Sequence, residues 1–520
     1  MMKSKWIQFI LSITLFISLW GCQAASENKL VMLAGSELRD MEPLLAPIQQ
    51  KLGVTLEIRY IGTLDGAEQL SSSQADLAWF SHGKYISLLP SAKQQVVVQE
   101  KIMLSPVVLG VKTSLAQKWG WENNAQLTWR DILAKSVQGE LKFAMANPTS
   151  SNSGFTALIG VAAALSASGD ALTLETIKHD ELKQFFKGQA LTAGSSGWLA
   201  EQYVVQQNEL DGMINYESVL LTLNQGGKLS EKLTLIYPQE GIVTADYPLM
   251  LLHQDKQEIY NKLVEALRAP EFQKSLMEQT LRRPAIPQVP LSDKFPPNLL
   301  IELPFPNSLE VIDSLLFAYL DEQKTASHAF FVLDVSGSMA GQNLIDLKSA
   351  LTNLTGVDQT LSGRFARFRN RERITVILFN DQVREVKTFD IDNPEANSQA
   401  MTEIRDYTNA LQASGGTAIY TALDQAYQSV QAEQATDPNR YYSIVLMSDG
   451  ENTDGMPKDS FFTDYRQLPP EVQKIKTFTI VFGSANEQTM QEIANVTAGR
   501  TFDSRKTSLS VIFKEIRGYQ

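Results

Sequence analysis

The sequence predicts two α/β domains in tandem, the second of them doubly wound, and three observations carry that prediction. Short apolar runs alternate with helical stripes in both halves, as where Leu30 to Ala34 precedes Met41, Leu44, Leu45, Ile48 and Leu52. Such alternation of strand and helix is the pattern of α/β folds. A set of prolines (Pro284, Pro287, Pro290, Pro296, Pro297, Pro304 and Pro306) separates the halves, and proline interrupts helix and stiffens a connector. In the second half the apolar run Ala329 to Leu333 ends in Asp334-Val335-Ser336-Gly337-Ser338. That places oxygen ligands at the C-terminal tip of a strand, where open α/β sheets bind their ligands.

The second domain follows in order. Leu344, Leu347, Leu351 and Leu354 make a helical stripe, Ile374 to Phe379 and Thr477 to Phe482 read as buried strands, and Met490 to Val496 reads as a helix. The aspartate, the two serines and free positions for water suit a hard cation that wants near-octahedral oxygen coordination, which points to Mg²⁺. The competing reading is that Asp334 and Ser338 cap the helix near Gln342 to Leu354. Two further segments add oxygen donors: Ser414-Gly415-Gly416-Thr417, and Asp449 behind the strand Tyr442 to Ser448. Asp334, Ser336, Ser338, Thr417 and Asp449 together resemble the metal-ion-dependent adhesion site of the von Willebrand factor A (vWA) family. The resemblance implies residues 326–520 as the domain and Mg²⁺ as the ion, with Mn²⁺ or Ca²⁺ as substitutes. It also implies a water-mediated role for Asp449 and a protein partner whose acidic side chain completes the coordination.

In the first domain, strands at Leu30 to Ala34, Thr55 to Ile61 and Asp76 to Phe80 end at Gly35-Ser36, Gly62-Thr63 and Ser81. These ends set hydroxyls and helix N-termini where a polar or anionic solute could sit. Residues 29–290 resemble type II periplasmic solute-binding proteins, with Ala75 to Trp79 and Ala245 to Pro248 the nearest local matches. The resemblance implies two lobes, a crossing at Met103 to Val111 and a return at Ile242 to Leu252. It implies ligand loops carrying Ser36, Thr63, Ser151, Ser153, Ser195 and Glu217; taken one by one, the Gly/Ser loops read first as helix caps and second as ligand contacts. Serines favour an oxyanion, whereas Glu217 and Glu240 facing the cleft would favour a zwitterion or cation. Loss of solute binding, with the fold kept as a scaffold, is a further reading.

The remaining features bound the function. The 520 residues suit two or three domains, and 43% hydrophobic with 20% charged residues suits globular cores. A net charge of −12 argues against nucleic acid as a partner. Arg364, Arg367, Arg369, Arg371 and Arg373 read as a solvated loop, with an acidic partner or lipid headgroups as the alternative. None of His82, His179, His253 and His328 stands in a metal-ligand pair or beside a nucleophile turn, and there is no P-loop, so an enzyme is not expected. Residues 291–325 read as linker plus a helix bearing Leu309, Ile312, Leu315, Leu316 and Leu320 that packs on one of the domains.

Lys3 and Lys5 precede an apolar run from Trp6 to Trp20, which fits a secretory signal. The sole cysteine, Cys22, closes that segment, so no internal disulfide can form. Leu19-Trp20-Gly21-Cys22 resembles a bacterial lipobox, although Trp20 stands where a small residue is usual; an ordinary signal peptide is the alternative. The resemblance implies a signal peptide at 1–21, lipidation of Cys22, an anchor segment at 22–28 and, from Gln23, outer-membrane sorting where two membranes exist. The expected function is a lipid-anchored envelope protein that binds a protein partner through Mg²⁺, its first domain acting as sensor or second interface. The alternative is the substrate receptor of a membrane transporter with an accessory second domain.

Overall fold

Parallel pairing at the N-terminus begins with β1 (Asn28–Ala34), whose residues are hydrogen-bonded on both edges and buried from Met32 to Ala34. That double burial is why the segment reads as an unbroken apolar run. A computed structural model describes residues 28–520 apart from 71, 73, 167, 297–299 and 484. Cys22 and the predicted signal and anchor segments lie outside the described residues.

Further strands are β2 (Val54–Tyr60), β3 (Leu77–Trp79), β4 (Val98–Lys101), β5 (Met103–Lys112), β6 (Phe143–Ala146), β7 (Gln189–Ala193), β8 (Gly212–Tyr216), β9 (Leu233–Ile236), β10 (Thr244–Ala245), β11 (Pro248–Leu251) and β12 (Arg283–Pro284). They form two sheets, β2-β1-β3-β11-β4 in a first lobe and β10-β5-β8-β6-β7 in a second, with β9 and β12 also pairing with β5. The second lobe carries the helices α1 (Asn152–Ser166), α2 (Ser196–Gln206) and α3 (Glu217–Gln225). The crossing predicted at Met103 to Val111 is corrected: that strand lies within the second sheet, and the chain changes lobe at Ile102, between β4 and β5. A strand pairing along its whole length cannot also bridge two sheets.

After α4 (Leu309–Ala318), six strands make one sheet: β13 (Ser327–Asp334), β14 (Arg373–Phe379), β15 (Val383–Asp390), β16 (Tyr441–Ser448), β17 (Lys476–Val481) and β18 (Thr501–Asp503), in the order β15-β14-β13-β16-β17-β18. All pair in parallel except β15, an antiparallel edge that exposes Arg384, Glu385 and Thr388. Helices α5 (Gln342–Thr352), α6 (Leu361–Ala366), α7 (Ile419–Thr436) and α8 (Leu509–Tyr519) flank it. Central β13 is buried throughout, so its final carboxylate emerges at the sheet's C-terminal edge out of apolar surroundings.

The arginine cluster is neither a solvated loop nor a docking patch. Arg364 pairs with Asp313 of α4 at 2.6 Å, Arg369 Nε donates to Asp321 at 2.8 Å, and Arg371 Nε donates to the Asp321 carbonyl at 2.6 Å. Arg367 pairs with Glu395, and Arg373 with Asp390 and Glu433. A planar guanidinium serves several acceptors at once, so the run fastens the linker helix to the C-terminal domain.

That domain also touches both lobes of the first. Glu68 of the first lobe accepts from the N–H groups of Leu361 and Ser362 at 3.2 Å and from Ser362 Oγ at 2.7 Å, a carboxylate at the start of α6. On the second lobe Trp198 packs edge-on to Tyr519 at 4.6 Å, and Glu209 pairs with Lys474 at 2.7 Å.

Candidate metal centre and interlobe cleft

Three loops meet at the C-terminal edge of the second-domain sheet, each fixed by backbone hydrogen bonds. Val335 N–H donates to Phe379 O, Ser414 N–H to Val335 O, and Gly337 N–H to Gly415 O, at 2.8, 2.8 and 2.9 Å. Asn380 ties the third loop in through Nδ2 to Ser414 O at 2.9 Å, while its own carbonyl accepts from Ala418 N–H at 2.6 Å. Asp334, Ser336 and Ser338 lie in the first of these loops, and Asp449, just past β16, joins them in one network. Ser336 N–H donates to Asp334 Oδ1 at 2.7 Å, the Ser336 and Ser338 hydroxyls lie 3.1 Å apart, and Ser338 Oγ donates to Asp449 Oδ1 at 2.7 Å. Thr417 joins them through position: a β-carbon at Gly450, next to Asp449, would lie 3.3 Å from Thr417 Oγ1 and 3.7 Å from Ser338 Oγ. Its backbone N–H is held by Thr453 Oγ1 at 3.0 Å and by Asp454 Oδ2 at 3.2 Å.

Asp334 is fully buried and Asp449 almost so. Burial pushes the Asp334 carboxyl up from its usual range, hydrogen bonds from Ser448 and Ser336 pull it down, and the Asp449 charge raises it further. Among the described residues no basic side chain pairs with Asp334. A buried carboxylate beside a second one is costly unless a cation answers it. Among the described residues no three His, Cys, Asp or Glu side chains group as metal ligands. Any cation held here would therefore draw on hydroxyls, and two carboxylates with three hydroxyls form an all-oxygen donor set that fits Mg²⁺ or Ca²⁺.

Sequence reading missed Ser448, which donates to Asp334 Oδ2 at 2.5 Å, and Asn343, which donates to Asp449 Oδ2 at 2.7 Å. Ser448 had a signal: β13 and β16 pair Leu333 with Met447, which sets the next residues opposite each other. Asn343 had none beyond its place in the first turn of α5.

The cleft residues divide differently. Ser36 and Ser195 line a cavity of about 940 Å³ that lies between the lobe mouth and the C-terminal domain. Ser195 is also the N-cap of α2, accepting from Trp198 N–H at 3.4 Å. Ser151 and Ser153 are buried and bond each other at 3.1 Å. Thr63 opens a helix that runs Thr63–Gln69. Glu217 does not face a solute: both its oxygens receive Arg283 at 2.7 Å, and Tyr237 donates to it as well. The first residue of α3 is thus a fully buried ion pair between the second lobe and β12, with no charge left over.

Glu37, absent from the sequence-derived set, takes the interlobe position instead. Its carboxylate folds back over Gly35, where a β-carbon would come within 2.6 Å of it. Across the cleft Oε1 accepts from Asn152 Nδ2 at 2.9 Å, and Tyr216 OH stands at 3.5 Å. Burial pushes this carboxyl up, while Asn152 and Arg282 pull it down. Deeper in, His82 Nε2 meets Thr156 Oγ1 at 3.0 Å, and burial holds the His82 imidazole down at about 4.

Comparison with known families matches this division. A profile of the von Willebrand factor type A domain covers residues 330–515, and one of bacterial extracellular solute-binding proteins covers residues 30–280. The chain joins a solute-binding domain to a vWA domain. Among solved structures, the periplasmic binding protein AfuA from Actinobacillus pleuropneumoniae, with exogenous fructose-6-phosphate bound, is 17% identical with a TM-score of 0.44, covering 57% of this chain and 99% of its own. The ferric binding protein from Campylobacter jejuni is 15% identical with a TM-score of 0.44, covering 56% and 98%. A von Willebrand factor type A protein from Catenulispora acidiphila is 17% identical with a TM-score of 0.30, covering 38% of this chain and 43% of its own. No curated protein matches the chain.

Proposed function

We propose that the protein is a non-enzymatic cell-envelope binding protein whose vWA domain captures a protein partner through a divalent cation, Mg²⁺ in the first instance. The observation that carries this reading is the convergence of two buried carboxylates, Asp334 and Asp449, with the Ser336 and Ser338 hydroxyls at a sheet edge, where Asp334 lacks a basic partner. Asp334, Ser336, Ser338 and Thr417 would hold the ion, Asp449 would act through water, and the partner's carboxylate would fill a remaining position. The ion supplies a hard Lewis-acid contact that a lysine could not, because a metal-held carboxylate is fixed in direction as well as charge. The solute-binding domain gives the vWA domain a mount and a second surface, and a small solute would be its ligand. The lipid anchor through Cys22 rests on the lipobox resemblance alone. No helix among the described residues is long and apolar enough to cross a membrane.

The experiment is affinity capture from envelope extract with Mg²⁺ and with chelator, using the wild type and Asp334→Ala. The reading requires a partner that is retained with Mg²⁺, released by chelator and missed by the variant. Capture indifferent to both overturns it. Labelling with a fatty-acid analogue in Cys22→Ser, which should carry no label, tests the anchor separately.

A further inference from the structure

Both lobes of the solute-binding domain are bridged from inside and from outside. Inside, Glu37 of the first lobe reaches Asn152 and approaches Tyr216 of the second; Asn152, Tyr216 and the neighbouring Arg282 are each more than nine-tenths buried. Arg282 Nη2 donates to the Glu37 carbonyl at 2.7 Å, so the loop bearing the carboxylate is itself held from below. The Asn152 amide and the Tyr216 phenol converge on that carboxylate between the two lobes, while the Arg282 guanidinium, bound to Asp40 at 2.7 Å and to the Glu37 carbonyl, adds positive charge nearby; such a set forms a receptor for a small carboxylate or other oxyanion. Here the oxyanion belongs to the chain.

Outside, the cavity of about 940 Å³ begins at Glu37 and is roofed by vWA residues, among them Arg500, Lys514 and Gly518. The end of α8 presses on the second lobe so closely that a β-carbon at Gly194 would lie 2.9 Å from the Tyr519 ring. Arg517, bonded to Glu372 at 2.6 Å, fixes that end of α8 to its own domain. Glu68 holds the first lobe to α6. The vWA domain thus spans the mouth and grips both sides.

We propose that Glu37 is a built-in ligand, a tethered carboxylate that holds the lobes closed in place of a solute, with the vWA domain as the latch over the mouth. This goes beyond the cation-dependent reading and stands without it. It means that a free solute enters only by displacing Glu37 after the latch has released, and that the displacing class is a small carboxylate or oxyanion.

The test uses the chain with Cys22→Ser and fluorophores on Lys51→Cys of the first lobe and Lys187→Cys of the second, both exposed positions, and reads the inter-lobe distance by single-molecule energy transfer. The parent should give one short-distance population with no ligand added. Glu37→Ala combined with Trp198→Ala should add a longer-distance population, and acetate should remove it by standing in for the lost side chain. Glu37→Gln, which keeps an acceptor for Asn152, should stay closed more often than Glu37→Ala. A parent that is already open and closes only when acetate or phosphate is added overturns the proposal. So does a folded Glu37→Ala, Trp198→Ala chain, checked by circular dichroism, that stays closed.

Discussion

The vWA sheet edge and the interlobe cleft are both strand-end sites lined with hydroxyls and carboxylates, yet they resolve their charge in opposite ways. In the cleft region two buried acids are answered by positive charge within the protein: Glu217 by Arg283, and Glu37, which Asn152 also bonds, by the nearby charge of Arg282. At the vWA edge Asp334 receives neutral donors only, from Ser336 N–H and Ser448 Oγ, and faces the charge of Asp449. Side-chain identity alone would rank the two sites alike. What separates them is whether a counter-charge has been built in, because an unanswered buried charge is the costlier state and therefore the one that recruits an ion.

The largest effect that could break this contrast is at Asp334. Saturating Mg²⁺ should raise the melting temperature of the wild type by several degrees, since a ligand at a hundredfold excess over Kd stabilises by about 2.7 kcal/mol at one site. Asp334→Ala should show no such rise and no heat of Mg²⁺ binding by calorimetry, while remaining folded on its buried strands. Equal shifts in both proteins would remove the site.

Next in size is the built-in pair. Arg283→Ala leaves Glu217 buried without its partner, and breaking a buried pair from one side costs about 3–5 kcal/mol. Urea unfolding should show that loss, and Glu217→Gln in the same background should recover part of it by discharging the orphan. If Arg283→Ala is neutral, Arg283 is not what discharges Glu217.

The third effect is acid lability. His82 is held at about 4 against an ordinary 6.5, by burial first and against the pull of Asp246. A folded value below the unfolded one means that the unfolded chain binds the proton first. Stability is therefore intact above pH 6.5 and lost as the pH falls towards 4, by at most about 3 kcal/mol. His328, held at about 3 by burial and by Arg373 and Arg440, acts in the same direction. The slope of unfolding free energy between pH 6.5 and 4 should flatten in His82→Gln; an unchanged slope would assign the acid lability elsewhere.

Smallest is Ser195→Ala, which removes the N-cap of α2 and should cost about 1 kcal/mol without altering solute response. A change in solute response without loss of stability would restore Ser195 as a ligand residue.

How far the sequence could be read follows from the range of the contacts involved. The central strands of the vWA sheet are apolar runs bounded by turns, and Asp334, Ser336 and Ser338 sit within one loop, so their grouping is local. Thr417 and Asp449 come from distant loops and were legible only because the family pattern orders them. The Glu37–Asn152 bond joins residues 115 apart, and Glu68 meets Ser362 across 294 positions; no periodicity marks such pairs. The arginine run was visible as charge, but its partners Asp313, Asp321 and Glu395 are scattered, so its role as a fastening for the linker could not be seen. Glu217 was visible and misjudged for the same reason: Arg283, which discharges it, lies 66 residues away.

Strand β15 carries a consequence of another kind. As the antiparallel border of the vWA sheet it offers unpaired backbone groups to whatever comes alongside, and it meets them with Arg384, Glu385 and Lys387 set along its length. Another copy approaching edge to edge would have to strip water from those charges before a single ladder bond formed. The opposite border, β18, is three residues long and offers little to template upon. Crowded side by side, such molecules should stay separate at the concentrations where bare sheet edges begin to fuse.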